Sequence, residues 1–243
     1  MKPHLIMPMG GAGSRFYKNG YMQPKPLIEI NGKPFLYWAT MSIIKLMEVE
    51  DITFVVLREH VDRFKIVDVI MQYFPKANIK IIEEVLPGPV FTALHGVEDI
   101  IDDAPIIFND CDHMFQCKEF ASELKKEKMD IDGALLTFES NEPQFSYVKY
   151  DRNHHIIGTI EKKVVSNRAI CGAYMFKNTS LFKRVAERYI ADCPYSECFM
   201  SGLYNIMCAD KKIVRDYLLD FHLEFGTPEE YDKAKDSKYF ELM

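Results

Sequence analysis

The sequence predicts an α/β protein with a doubly wound, mixed sheet and a small antiparallel section in its second half. Three observations carry this expectation. Short apolar, β-branched runs alternate with helix-period patterns through the first half. A cluster of glycines follows the first such run directly. After Gly133, short strand-like runs succeed one another with little helix between them.

Taken in order, His4 to Met7 is an apolar run stopped by Pro8 and reads as a buried strand. Pro34 should open a helix at its first turn, with Leu36, Thr40, Ile43 and Met47 along one face. Ile52 to Leu57 is the second strand. Phe64, Val67, Met71 and Phe74 mark a helix that Pro75 ends. Ile79 to Ile82 is the third strand, and a helix runs from Val90 to Asp102. Pro105 to Phe108 is the fourth strand. Four strands with interposed helices imply a parallel sheet whose ligands sit beyond the strands' carboxyl ends. The later strands are Gly133–Phe138, Tyr147–Tyr150, Ile156–Ile160, Ala173–Phe176 and Ile213–Leu219. Helices lie near Leu181–Ile190 and Phe199–Met207. No linker rich in Pro, Gly or Ser divides the chain, so residues 1–243 read as a single domain.

Composition removes several function classes. The 243 residues are 48% hydrophobic and 27% charged, which is ordinary globular usage and excludes disorder. The net charge of −6 argues against a nucleic-acid partner. No apolar run is long enough to span a membrane, and none has the form of a signal peptide. The six cysteines show no CxxC and no zinc-like His–Cys spacing. They read as small core residues in a reducing, cytoplasmic compartment. The histidines are expected to have packing, surface or outer-sphere roles, and His154-His155 falls in a hairpin turn.

The chemistry gathers in two loops. Gly10-Gly11-Ala12-Gly13-Ser14-Arg15 follows a strand, after Met9, and its backbone N–H groups can cradle phosphates. It is neither a GxGxxG dinucleotide motif, since Phe16 stands at the last position, nor a P-loop. Arg15 and Lys25 add two cations, and Pro24 and Pro26 hold Lys25 on an extended backbone. That combination suits a triphosphate. The second loop, Asn109-Asp110-Cys111-Asp112, places carboxylates after the fourth strand, where Mg²⁺ could be held.

These residues, with Pro24-Lys25-Pro26-Leu27-Ile28 and Ile30-Asn31-Gly32-Lys33-Pro34, resemble the signature of sugar-phosphate nucleotidyltransferases, the nucleoside-diphosphate-sugar pyrophosphorylases. The resemblance covers nearly the whole chain. It implies a Rossmann-like fold of the nucleotidyltransferase and glycosyltransferase-A kind. It implies a nucleotide site at Met9, Gly10, Gly11, Ala12, Gly13, Ser14, Gly88, Thr92 and Asp110, with main chain near Gly88 reading the base. It makes Arg15 and Lys25 the catalytic cations and Asp112 the Mg²⁺ ligand. Glu224, in Glu224-Phe225-Gly226-Thr227-Pro228, stands where the family has a second metal-binding Asp. Ser146-Tyr147-Val148 resembles a Tyr-Gly-Val segment. Glu161, Lys162 and Gly172 would contact the acceptor, although Lys163 replaces a family proline after Glu161-Lys162.

The implied reaction transfers a nucleotidyl group from a nucleoside triphosphate, a pyrimidine by preference, to a phosphorylated acceptor and releases pyrophosphate. The acceptor would be a sugar 1-phosphate or a small phospho-compound, in the synthesis of surface polysaccharide precursors. The alternative is a metal-dependent glycosyltransferase that holds a nucleotide sugar through Asp110 and Asp112. A third reading is a nucleotide-binding protein without catalysis.

Overall fold

A computed structural model describes residues 1–126 and 130–242. The chain enters through β1 (His4–Met9), the glycine loop and the short α1 (Ser14–Lys18). A 3-10 turn at Lys25–Leu27, in place of the extended backbone expected at Lys25, leads to a hairpin of β2 (Glu29–Ile30) and β3 (Lys33–Pro34), then to α2 (Phe35–Ile44). Next come β4 (Ile52–Leu57), α3 (Arg58–Phe64), α4 (Ile66–Tyr73), β5 (Asn78–Ile82), α5 (Pro89–Gly96) and β6 (Ile106–Asn109). Then follow β7 (His113–Gln116), α6 (Lys118–Leu124), β8 (Gly133–Glu139), β9 (Ser146–Tyr150), β10 (Ile156–Glu161) and β11 (Arg168–Phe176). The chain finishes with α7 (Thr179–Ala191), α8 (Leu203–Ala209), β12 (Val214–Leu218), β13 (Phe221–Glu224) and α9 (Pro228–Ala234).

The main sheet runs β10-β9-β11-β6-β1-β4-β5, with β8 beside β11 and β12 beside β8. β6, β1, β4 and β5 are mutually parallel, as the alternating pattern requires. β11 joins them antiparallel through β6, and β8 and β9 add to β11 antiparallel. β12 returns parallel to β8, so the second half is mixed and not purely antiparallel. The chain leaves β1 towards β4 and β5, then crosses back to β6 on the other side. The strand order therefore reverses between β1 and β6, and a crevice opens at their carboxyl ends. The glycine loop and the Asp110–Asp112 loop are the two segments that leave those ends.

Both faces of the sheet are buried. Leu5, Met7 and Met9 of β1 face one core, and Ile6 faces the other. Phe54 and Val56 of β4 likewise oppose Val55 and Leu57. A third cluster joins Phe16 of α1, Phe35 and Trp38 of α2, Met114 of β7, Phe225 just after β13, and Ala234 of α9. Each fully buried aromatic of that kind contributes about 1.5–3 kcal/mol. This cluster ties the loop after β1 to the small β13–β7 sheet, and so fixes the two sides of the crevice.

Four elements differ from the sequence expectation. Pro34 pairs with Glu29 in the β2–β3 hairpin, so it stands before α2 and not in its first turn. The helix expected across Phe64 to Phe74 is two helices, because Lys65 adopts φ 54° and interrupts it. The helix expected to reach Asp102 ends at Gly96. There it presses on β1 and β4, where a Cβ would lie 2.4 Å from Ile6 Cγ2. The strand expected over Ala173–Phe176 starts at Arg168, with a register break between Ile170 and Tyr174 around Gly172.

Candidate active site

The crevice holds two adjoining cavities. The larger, about 670 Å³, lies over the glycine loop. Met9, Gly10, Gly11, Ala12, Gly13, Ser14, Arg15, Lys25, Gly88, Thr92 and Asp110 all line it. The smaller, about 220 Å³, is lined by Asp112, Glu161, Gly172, Glu224 and Glu230 among others. Arg15, Pro89, Asp110, Phe199 and Gly226 line both. The geometry thus brings every expected nucleotide residue to one cavity and Glu161 and Gly172 to the other. Lys162 borders neither, and its ammonium lies 4.9 Å from the ring centroid of Phe199.

The glycine loop is built from distinct constraints. Gly13 takes φ 59° and its carbonyl accepts from Phe16 and Tyr17, which starts α1. Gly10 packs under Ile82 and Thr92, whose atoms would lie 2.5 and 3.1 Å from a Cβ. Gly11 has no heavy atom within 4 Å of such a Cβ, so nothing inside the protein requires a glycine there. Gly88 has φ 123°, and a Cβ would meet the Cys198 backbone nitrogen at 2.5 Å. Cys198 N–H donates to Pro87 O, and Val90 N–H donates to Cys198 O. Within the chain the close approach that Gly88 permits is to Cys198, and Gly88 also lines the larger cavity, where base contact is expected.

The acidic loop is held by two aspartate–glycine contacts. A Cβ at Gly172 would stand 2.5 Å from Asp110 Oδ2, and Gly172 O accepts from Asp110 N–H at 3.0 Å. A Cβ at Gly226 would stand 2.3 Å from Asp112 Oδ2, and Asp112 O accepts from Phe225 N–H at 3.0 Å. Lys25 Nζ donates to Asp112 Oδ2 at 2.7 Å. The expected phosphate cation and the expected metal ligand are thus joined directly.

Electrostatics separate the carboxyl groups. Burial and then the charge of Asp112 push Asp110 up. Asp112 is pushed up by burial too, but Lys25 and His113 outweigh this and hold it below its ordinary value. Burial, then Glu230 and Asp112, push Glu224 up to about 8. Glu224 reaches this place because β13 pairs with β7, which sets Glu224 opposite His113. Asp112 and Glu224 offer hard oxygen donors, and a carboxylate held up by neighbouring carboxylates is one that a cation would relieve. The residues therefore fit Mg²⁺.

On the acceptor side, Ser146 and Ser201 hydroxyls both donate to Glu161 Oε2. Glu230 and the grouping of His113, His222 and Cys171 escaped the sequence reading. Glu230 accepts from Gly226 and Thr227 N–H at 3.0 Å each and closes a capping box with Thr227. The Thr-x-x-Glu spacing at Thr227 to Glu230 was visible as that signal. His113 and His222 also stand together at 3.4 Å, and Cys171 lies beside them. The sequence shows no zinc-like His–Cys spacing because the three are far apart in the chain and only the fold brings them together.

A family model described as nucleotidyl transferase matches residues 4–238. The chain belongs to the nucleotidyl transferase family. Among curated proteins it is similar to the mannose-1-phosphate guanyltransferase of Aspergillus oryzae, 28% identical over 236 residues. It is similar also to that of Hypocrea jecorina, 29% identical over 237 residues. In each case the match covers 92% of this chain, and the chain spans 60% of the length of the relative. Among solved structures the fold resembles a nucleoside-diphosphate-sugar pyrophosphorylase from Vibrio cholerae RC9. That match has a TM-score of 0.81 and 21% identity, and covers 96% of this chain and 100% of that one. It also resembles the inositol-1-phosphate CTP transferase from T. maritima, with a TM-score of 0.75 and 16% identity over 100% and 94% of the two chains. The family and these neighbours agree with the α/β mixed-sheet expectation. Among the described residues no helix is long and apolar enough to cross a membrane.

Proposed function

We propose that this nucleotidyl transferase family member is a single Mg²⁺-dependent catalytic domain that transfers a nucleotidyl group from a nucleoside triphosphate to a phosphorylated acceptor, releasing pyrophosphate. The observation that carries the reading is the pair of cavities meeting at Arg15, Asp110 and Gly226, with Lys25 bonded to Asp112 at the junction. One cavity is lined by glycine backbone and cations and suits a triphosphate. Its neighbour carries Glu161, Gly172 and the carboxylates, and suits the acceptor.

The acceptor phosphate attacks the α-phosphorus, and the bond to the β-phosphate oxygen breaks. That acceptor is already an anion near neutral pH, so no side chain need remove a proton. Catalysis is then positioning and charge stabilisation. Arg15 would hold the β- and γ-phosphates of the leaving group. Lys25 would neutralise the charge that grows on the α-phosphate. Glu161, steadied by Ser146 and Ser201, would accept hydrogen bonds from hydroxyls of the acceptor. Asp112 and Glu224 would hold Mg²⁺, which would supply positive charge to offset that of the phosphates.

Pyrimidine triphosphates are the donors this reading prefers. The curated relatives are named guanyltransferases, which makes GTP the competing donor. A sugar 1-phosphate is the acceptor this reading prefers, and the product would feed polysaccharide synthesis in the cytoplasm. The test is Mg²⁺-dependent pyrophosphate release across CTP, UTP, dTTP, GTP and ATP, each with sugar 1-phosphates and phosphocholine-like acceptors. Release with one pair confirms the reading and names both substrates. No release with any pair, while nucleotide sugars bind, overturns it in favour of glycosyl transfer through Asp110 and Asp112.

A further inference from the structure

His113, Cys171 and His222 come from three strands, β7, β11 and β13, and all border the smaller cavity. One ligand atom from each lies within 4.8 Å of the other two. The facing atoms of the two imidazoles, His113 Nδ1 and His222 Nε2, are 3.4 Å apart.

The tautomer of His113 follows from its neighbours. The buried Asn109 amide donates to Ala39 O at 2.9 Å, which fixes which end of that amide is nitrogen. Asn109 Oδ1 then faces His113 Nε2 at 3.0 Å and can only accept. Nε2 therefore carries the proton, and Nδ1 keeps its lone pair turned to His222. A histidine whose far nitrogen donates to a fixed oxygen is the outer-sphere arrangement that orients metal-binding imidazoles. Apolar rings close the sides: Phe115 packs on His113 and Phe138 on His222, with centroids 5.1 and 4.3 Å apart.

We propose that His113 Nδ1, His222 Nε2 and Cys171 Sγ form a binding site for a soft divalent transition-metal ion, Zn²⁺ in the first place, separate from the carboxylate site. Two nitrogens and a sulfur select such an ion over Mg²⁺, which prefers oxygen. Both imidazoles bind as neutral groups, and Cys171 gives up its thiol proton to solvent as the metal–sulfur bond forms. Three protein ligands leave a fourth position, which here faces the cavity and takes water or an oxygen of the molecule bound there. The site stands on these three side chains whatever the donor nucleotide is.

The experiment uses the full chain, reduced and stripped of metal, titrated with Co²⁺ in excess Mg²⁺ and then with Zn²⁺. One equivalent of Co²⁺ should produce a thiolate-to-cobalt charge-transfer band and tetrahedral d–d bands, and Zn²⁺ should erase both. Cys171→Ser should lose the charge-transfer band. His222→Gln should weaken binding by more than the roughly 10–100-fold that loss of an outer partner costs. Asp112→Asn, which cripples the carboxylate site, should keep the spectrum. On the unaltered protein, Zn²⁺ should protect Cys171 from alkylation, read by peptide mass spectrometry, so the test survives a variant that fails to fold. Absence of the charge-transfer band from the unaltered protein, its persistence in Cys171→Ser, its loss in Asp112→Asn, or unprotected Cys171 would each overturn the proposal. None of these readouts depends on transferase activity.

Discussion

Asp112 lies directly over Gly226: a Cβ at position 226 would stand 2.3 Å from the Asp112 Oδ2. Asp112 is a short side chain whose oxygen is already bonded to Lys25, so it has little room to yield. Gly226→Ala should therefore displace the carboxylate while leaving every candidate catalytic group in the chain. A shift of about 1 Å in such a group costs on the order of 10²-fold in rate. Pyrophosphate-release kinetics with a Mg²⁺ titration check this, and an unchanged rate and metal dependence would refute it.

Lys25 serves two partners, the ion pair with Asp112 and the proposed α-phosphate. Lys25→Ala should lower kcat by roughly 10²–10³, by analogy with loss of an oxyanion donor, and change KM little. It should also destabilise the fold by about 1–3 kcal/mol, because Asp112 is left without its cation. Steady-state kinetics and denaturant melts separate the two effects. An unchanged kcat would remove Lys25 from catalysis.

Gly10 and Gly11 should behave differently. Gly11→Ala meets no atom within 4 Å, so thermal stability should stay within about 0.5 kcal/mol of the parent. If phosphates approach this backbone, nucleotide affinity should nevertheless fall, as calorimetric titration would show. Gly10→Ala must push on Ile82 and Thr92, so it should cost about 1–3 kcal/mol of stability. Equal nucleotide affinity in Gly11→Ala would place the phosphates elsewhere.

Burial, then Glu230 and Asp112, hold Glu224 up at about 8 against an ordinary 4.5. A cation that binds its carboxylate form must displace a proton below that pH. Apparent Mg²⁺ affinity should thus rise by up to about tenfold per pH unit towards pH 8, then level. Glu224→Gln should flatten that slope. In the metal-free protein the raised group favours folding most below about 4.5, and this contribution is lost progressively as pH climbs from there to about 8. The Gln variant should therefore gain stability relative to the parent as pH rises across that window, as melts over a pH series would reveal.

His4 anchors the start of β1. Burial pushes its imidazole down, but Asp51 at 2.9 Å and Asp102 at 3.0 Å outweigh burial and hold it above 6.5. The stabilisation is complete below 6.5 and is lost as pH rises through the higher folded value. His4→Gln should cost most stability near about pH 5.5 and progressively less at alkaline pH. A stability gap independent of pH would show that the imidazole packs there without carrying a charge.

Much of this was legible because its causes are local. The run of β1 and the glycines after it dictate backbone conformation within a few residues, whereas the extended backbone expected at Lys25 is instead a 3-10 turn between extended Pro24 and Ile28. The Asp110–Asp112 loop follows β6 by the same logic. The Thr227–Glu230 capping box is likewise a four-residue statement. Helix boundaries were less legible, since Gly96 ends α5 where it presses on Ile6 and Val55, atoms remote in the chain.

By itself, then, the sequence determined the alternation of strands and helices, the glycine loop with its two cations, and the carboxylates after the fourth strand. Local propensity and short-range patterns suffice for those. Only the tertiary structure decided which distant groups meet. Pairing of β13 with β7 sets Glu224 opposite His113 and His222 opposite Phe115. Gly88 lies against the Cys198 backbone, Gly172 against Asp110 and Gly226 against Asp112. Such contacts depend on strand register and core packing between segments far apart in the chain, and residue spacing cannot encode a distance that only folding creates.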